Sequence, residues 1–81
     1  MLNNRRTSSL AGHTYLITQR FLSDIGHAEC TGVYQRVIDE AEAGMLQAVM
    51  EHTKGNQTKA SQLLGITRTT LRMRLTRHNL K

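Results

Sequence analysis

Apolar residues recur along this chain at the spacing of helices, three and four positions apart. Ile17, Phe21 and Ile25 step by four, and Tyr15, Leu16 and Leu22 widen the stripe, which predicts a core-facing helix from about His13 to Ile25. Gly26 is placed to stop it. The longest pattern runs from Thr31 to about His52, with Thr31 or Cys30 near its start. In it Val33, Tyr34, Val37, Ile38, Ala41, Met45, Leu46, Val49 and Met50 hold i, i+3 and i+4 positions. Gly44 falls inside that pattern, where glycine costs about 1 kcal/mol relative to alanine. It marks either a bend with close approach of a second helix, or an uninterrupted helix that tolerates it. Residues 1–11 lack periodicity and read as a flexible tail.

Lys54-Gly55-Asn56 then breaks the pattern. Gly55 can take the left-handed conformation that ends a helix, and Asn56 is a good N-cap for the next. Gln57 to Leu64 predicts a short helix with Ala60, Leu63 and Leu64 facing inward. Gly65-Ile66-Thr67 reads as a turn in which Gly65 supplies the unusual backbone angle, Ile66 plugs the core and Thr67 caps the last helix. That helix runs from Arg68 to about His78, with Leu71, Leu75 and His78 inward. The fold class is all-α. The absence of proline and the scarcity of aromatics, Phe21, Tyr15 and Tyr34 only, agree with helices and not with β-sandwiches.

Two helices joined by a short turn containing glycine make a helix-turn-helix, whose second helix enters the DNA major groove. On a wheel at about 100° per residue, with Arg68 at zero, Leu71, Leu75 and His78 cluster at roughly 300°, 340° and 280°. Opposite lie Thr76, Thr69, Met73, Arg77 and Thr70, with Arg72 and Arg68 on one shoulder and Arg74 on the other. Arginine can be bidentate to guanine or can neutralise phosphate, threonine hydroxyls serve phosphates, and a threonine methyl or Met73 can touch a thymine methyl. Asn56 and Thr58 begin the first helix of the motif, where free backbone N–H groups favour an anion. Asn56 either caps only, or caps and also meets phosphate. Lys59 either reaches phosphate or is solvated.

Charge sharpens this picture. Residues 1–53 hold four arginines against six acids, a net −2, whereas residues 54–81 hold seven lysines and arginines and no acid, a net +7. A balanced half joined to a purely basic half suggests a body that folds or pairs and an end that meets a polyanion. Solvated surface helices usually interleave acids with bases, and this one does not. With 81 residues the core is small, since a chain of that size buries only about 60–65% of its unfolded surface. Such folds commonly add a staple. Cys30 is the only cysteine, so no internal disulfide forms, and a second subunit is the better expectation. A lone thiol fits a reducing cytoplasm. No apolar run approaches a membrane span, and Met1 to Ser9 has no apolar stretch for a secretory signal.

Three segments together carry a resemblance: Gly55-Asn56-Gln57-Thr58-Lys59-Ala60, then Leu63-Leu64-Gly65-Ile66, then Arg68-Thr69-Thr70-Leu71-Arg72. With this spacing the sequence resembles the Fis family, the bacterial nucleoid-associated factors for inversion stimulation, from about Val33 to the C-terminus. The same motif closes the enhancer-binding activators of the nitrogen-regulator type. The resemblance implies four helices per chain and a homodimer in which the first two helices of each subunit interlock in a bundle. Residues 12–53 would then dimerise, and residues 54–81 would present a helix-turn-helix to double-stranded DNA. Asn56, Thr58, Arg68, Thr70, Arg72 and Arg74 match the family's DNA-contact positions, with Arg72 the main reader of guanine and the others mostly positioning the backbone. Thr67 stands where the family usually has Asn, keeping part of a polar contact. Met73 and Thr76 replace residues that are commonly Lys, and Gly44 replaces a Pro. The implied function is a DNA-bending transcriptional regulator and nucleoid organiser of the bacterial cytoplasm. Stimulation of a recombinase is not expected, because the family's mobile hairpin arm has little counterpart in Met1 to Gly12.

Two other readings compete. One is the detached DNA-binding domain of an enhancer-binding activator, against which Met1 and the tail after it argue. The other is a helical dimerisation module whose basic helix meets an acidic protein and which shows no salt-dependent DNA affinity. RNA is a weaker partner, since no aromatic stacking platform accompanies the basic face. Neither metal nor cofactor nor enzymatic activity is expected. His27-Ala28-Glu29-Cys30 is half a metal site without its other half, and His13, His52 and His78 lack ligand spacing. Cys30 has no base beyond the neighbouring His27 and no orienting group.

Overall fold

A computed structural model describes residues 9–25 and 32–80. Its described residues form four helices and no strand: α1 (Leu10–Ile25), α2 (Val33–His52), α3 (Gln57–Leu64) and α4 (Arg68–Arg77). The fold is all-α with a C-terminal helix-turn-helix. The expected stop at Gly26 and the expected helix start at Cys30 or Thr31 lie outside the described residues, as does His27-Ala28-Glu29-Cys30.

The chain divides into two compact units, residues 1–38 and 39–81. In the first, α1 begins at Leu10, a little earlier than the apolar stripe alone implies. The cause is local: Ser9 Oγ accepts a hydrogen bond from the Gly12 N–H at 3.0 Å, and Ser9 O accepts from His13 N–H. That is an N-cap, which satisfies donors a helix start would leave unpaired. Ile17 and Phe21 are half-buried, and the Arg36 guanidinium stands 4.7 Å from the centroid of the Phe21 ring. Tyr15, Leu16 and Leu22 stay exposed in the single chain, as do Tyr34 and Ile38 at the start of α2.

The second unit holds the core. Leu46 and Met50 of α2, Ala60 of α3 and Leu71 and Leu75 of α4 are buried together, with Val49, Leu64, Ile66 and Leu80 packed against them. The inward side of α3 differs from the expectation at one position. Leu63 is 62% exposed, and Ser61 is buried instead. Gln57, Ala60, Ser61 and Leu64 share one helix face, whereas Leu63 lies roughly 110° from its centre. Burial of Ser61 is tolerated because its hydroxyl donates to Thr58 O at 2.9 Å.

All three helix ends of this unit close in the same way. After α2, Lys54 (φ +56°) donates to Glu51 O and Gly55 donates to Met50 O. After α3, Gly65 (φ +77°) and Ile66 both donate to Ser61 O. After α4, Asn79 (φ +60°) donates to Thr76 O and Leu80 donates to Leu75 O. Each is a left-handed closure that satisfies terminal carbonyls, and Ile66 and Leu80 add the apolar contact that such motifs favour. Gly65 needs its missing side chain for conformation and not for space, since nothing lies within 4 Å of where a Cβ would stand. Gly65→Ala is therefore expected to cost about 1–2 kcal/mol, the left-handed penalty of an L-residue. Urea unfolding would measure it, and an unchanged midpoint would refute the account. At Gly44, α2 continues uninterrupted, and the position is open in the single chain.

Candidate nucleic-acid interface

Helix α4 exists where it does because Thr67 starts it. Thr67 has an extended backbone, and its Oγ1 accepts from the Thr70 N–H at 3.1 Å while donating to Thr70 Oγ1 at 3.0 Å. Leu71 and Leu75 then anchor the helix in the core. Their burial turns Arg68, Thr69, Arg72, Met73 and Thr76 outward, all exposed. Thr69, Arg72, Met73 and Thr76 line one shallow depression on that face. No acidic side chain occurs in the sequence beyond Glu51, so nothing on this helix opposes an anion.

Asn56 is the N-cap of α3, its Oδ1 accepting from the Lys59 N–H at 3.0 Å. That leaves its amide N–H donors on an exposed side chain. Thr58 and Lys59 are exposed beside it in the first turn, where helix N–H groups create positive potential. Thr70 is half-buried. Its hydroxyl accepts from Thr67, and its own hydrogen remains free to rotate towards an acceptor.

The C-terminal end of α4 is organised by residues that the charge pattern alone did not single out. Asp39 and Glu42 project from α2, one turn apart. Arg77 donates to both Asp39 oxygens, with Nη2–Oδ1 3.0 Å, Nη2–Oδ2 3.2 Å and Nε–Oδ1 3.2 Å. Glu42 takes the His78 Nε2 contact at 2.8 Å on one oxygen and an ion pair with Arg74 Nε at 3.5 Å on the other. So Arg77, placed outward by the wheel, is held against α2, and Arg74 is shared between Glu42 and solvent. Asp39, Glu42 and His78 bring three potential metal-ligand atoms within 4.8 Å of one another. Both carboxylates, however, are already neutralised by guanidinium groups, so the cluster works as a clamp between helices.

The His78 side chain is only 8% exposed, and Glu42 supplies its ring nitrogen with a partner. Removing one partner of a buried polar pair leaves the other unsatisfied. Glu42→Ala is expected to cost about 1–3 kcal/mol of stability, whereas Asp39→Ala, which breaks a more exposed pair, should cost about 1 kcal/mol or less. Equal losses in denaturant titrations would show that burial of His78 is not what matters.

No helix of the described residues is long and apolar enough to cross a membrane. Residues 37–78 match the model of a family described as bacterial regulatory proteins of the Fis family. The chain is also 56% identical, over 50 residues, to a Fis-like DNA-binding protein of Pseudomonas aeruginosa. That alignment covers 62% of this chain and 48% of the relative, so the chain spans about half the length of the curated protein it matches. With the family match extending over half the chain and taking in the α3–turn–α4 unit, the protein belongs to the Fis family of bacterial regulatory proteins.

Proposed function

We propose that this chain acts as a homodimeric, DNA-binding and DNA-bending regulator that also organises the bacterial nucleoid. The observation that carries the reading is the outward face of α4: Arg68, Thr69, Arg72, Met73 and Thr76 exposed together, without an acid, on a helix anchored by its opposite side. Arg72 reads guanine. Arg68, Thr67, Thr70, Asn56 and Thr58 fix the helix against phosphates, and Arg74 contributes as far as Glu42 releases it. Phosphate contacts position such a protein, and base contacts specify its site.

The exposed apolar residues support a second copy as partner. Tyr15, Leu16, Leu22, Tyr34, Ile38 and Met45 are all exposed in the single chain, apolar surface of the kind that a second copy would cover. In a dimer the reading helices need about 34–36 Å between them to meet successive major grooves. A closer pair requires bent DNA or a narrowed central minor groove, which favours A/T-rich centres.

The test is fluorescence anisotropy on a duplex with an A/T-rich centre and flanking G·C pairs, against a scrambled duplex. Arg72→Ala is expected to erase about 1–3 kcal/mol of preference between the two, with its helix content unchanged. If neither duplex binds at low salt, α4 serves a protein partner and the reading fails.

A further inference from the structure

Helix α4 shows one anomaly for a surface meant only for phosphates. Leu71 and Leu75 are buried, and every other side chain of the helix is Arg or Thr except Met73. Met73 is 62% exposed and sits mid-face, in the shallow depression that it lines with Thr69, Arg72 and Thr76. A long apolar side chain there attracts no phosphate. What it can contact is the one apolar group that the major groove displays, the C5-methyl of thymine.

We infer that Met73, with the methyl groups of Thr69 and Thr76, forms a thymine-methyl reader beside the guanine reader Arg72. The spacing supports the pairing. Met73 follows Arg72 and stands one helical turn from both Thr69 and Thr76, and the four side chains line one depression, so a base edge beside the guanine engaged by Arg72 falls within reach of Met73. The surroundings suit DNA as the occupant: Arg72 lines the depression, the exposed Arg68 lies one turn before it, and the acids that reach α4, Asp39 and Glu42, are paired with Arg77, His78 and Arg74. Methionine also adapts its shape to an irregular surface, with three rotatable bonds and a polarizable sulfur. The site thus prefers a C5-methylated pyrimidine next to guanine, where an unmethylated pyrimidine leaves Met73 against water. This inference rests on the proposed DNA binding, and the experiment separates the two.

The full chain is used to select its preferred duplex from a randomised double-stranded library. In that duplex each guanine is replaced singly by 7-deazaguanine, which lacks the N7 acceptor, and each thymine singly by deoxyuridine, which lacks only the methyl. Loss of affinity at one guanine per half-site locates Arg72. Deoxyuridine within one base step of it is expected to weaken binding about fourfold, the worth of one buried methyl group. Met73→Gln, similar in length and polar, should bind the thymine and deoxyuridine duplexes alike, while Met73→Leu should keep the discrimination. Met73 is exposed, so both variants keep the core intact. If 7-deazaguanine weakens binding but deoxyuridine has no effect at any position, the methyl reader is overturned and DNA binding stands. If the library yields no enriched duplex, the methyl reader is overturned, and the proposed DNA binding falls with it only when no duplex binds at low salt.

Discussion

Leu71→Ala is expected to lower the stability of this protein by about 2–5 kcal/mol, the range for truncating a buried leucine. Leu71 is 0% exposed and is one of the two largest fully buried side chains, with Leu46. Among the described residues it belongs to a core cluster of five buried residues and four partly buried neighbours. A cavity there has few neighbours able to relax into it. Small domains have roughly 5–15 kcal/mol to lose, so the variant approaches unfolding at physiological temperature. Because dimerisation couples stability to concentration, the comparison is made by urea unfolding at one fixed protein concentration. Leu63→Ala is the control. It removes the same atoms from the same motif, but at an exposed position it should shift stability by no more than about 0.5 kcal/mol. Similar losses from the two substitutions would mean that the burial pattern described for α3 and α4 is wrong.

The second large effect is on binding. Lys54, Lys59, Arg68 and Arg72 are exposed in the C-terminal unit, while Arg77 is bound by Asp39 and Arg74 is partly held by Glu42. About three phosphate contacts per chain, doubled in a dimer, give a slope of log affinity against log salt near −5, at about 0.9 per contact. Raising salt from about 50 to about 200 mM should then weaken binding roughly a thousandfold. A chain that binds singly would show about half that slope. Lys59→Ala tests the two roles left open for that residue. A slope smaller by about 0.9 per chain, nearly two units for a dimer, means that Lys59 meets phosphate, and an unchanged slope means that it is solvated. Binding that does not depend on salt would exclude DNA as the partner of α4.

Asp39 and Glu42 bear on the same measurement. Each competes with phosphate for a cation of α4, so their removal frees charge as it loosens the clamp. Asp39→Ala is expected to steepen the salt slope by up to about 0.9 per chain, nearly two units for a dimer, through Arg77. This sign is opposite to that of any variant that merely unfolds the helix, which keeps the two effects apart.

The helices and the turn between the last two were legible because they arise from local chemistry. Asn56 and Thr67 cap α3 and α4 as their side chains allow, and Gly65 adopts the left-handed angle that a Cβ resists. Leu71 and Leu75 share a face by helical period alone, which also presents Arg72 outward. Helix α1 starts ahead of its apolar stripe because the stripe is a weaker boundary signal than the cap formed by Ser9. Leu63 faces outward, against its apolar character, for a related reason. A two-turn helix has too few apolar residues to define its inward face, and packing chose the side carrying Ala60 and Ser61. Small residues there let α3 approach the core closely.

What sequence could not supply were contacts between distant positions. Arg77 and Asp39 are 38 residues apart, and His78 and Glu42 are 36 apart. Nothing in the local pattern distinguishes an arginine that pairs with such an acid from one that faces solvent, because both satisfy the same helical period. Local conformation, capping and the sign of the charge are properties of neighbouring residues, so they are written in order along the chain. Which cations remain free for a polyanion depends on where α2 sets its carboxylates. That is a matter of packing around Leu46, Leu71 and Leu75, and it exists only once the chain has folded.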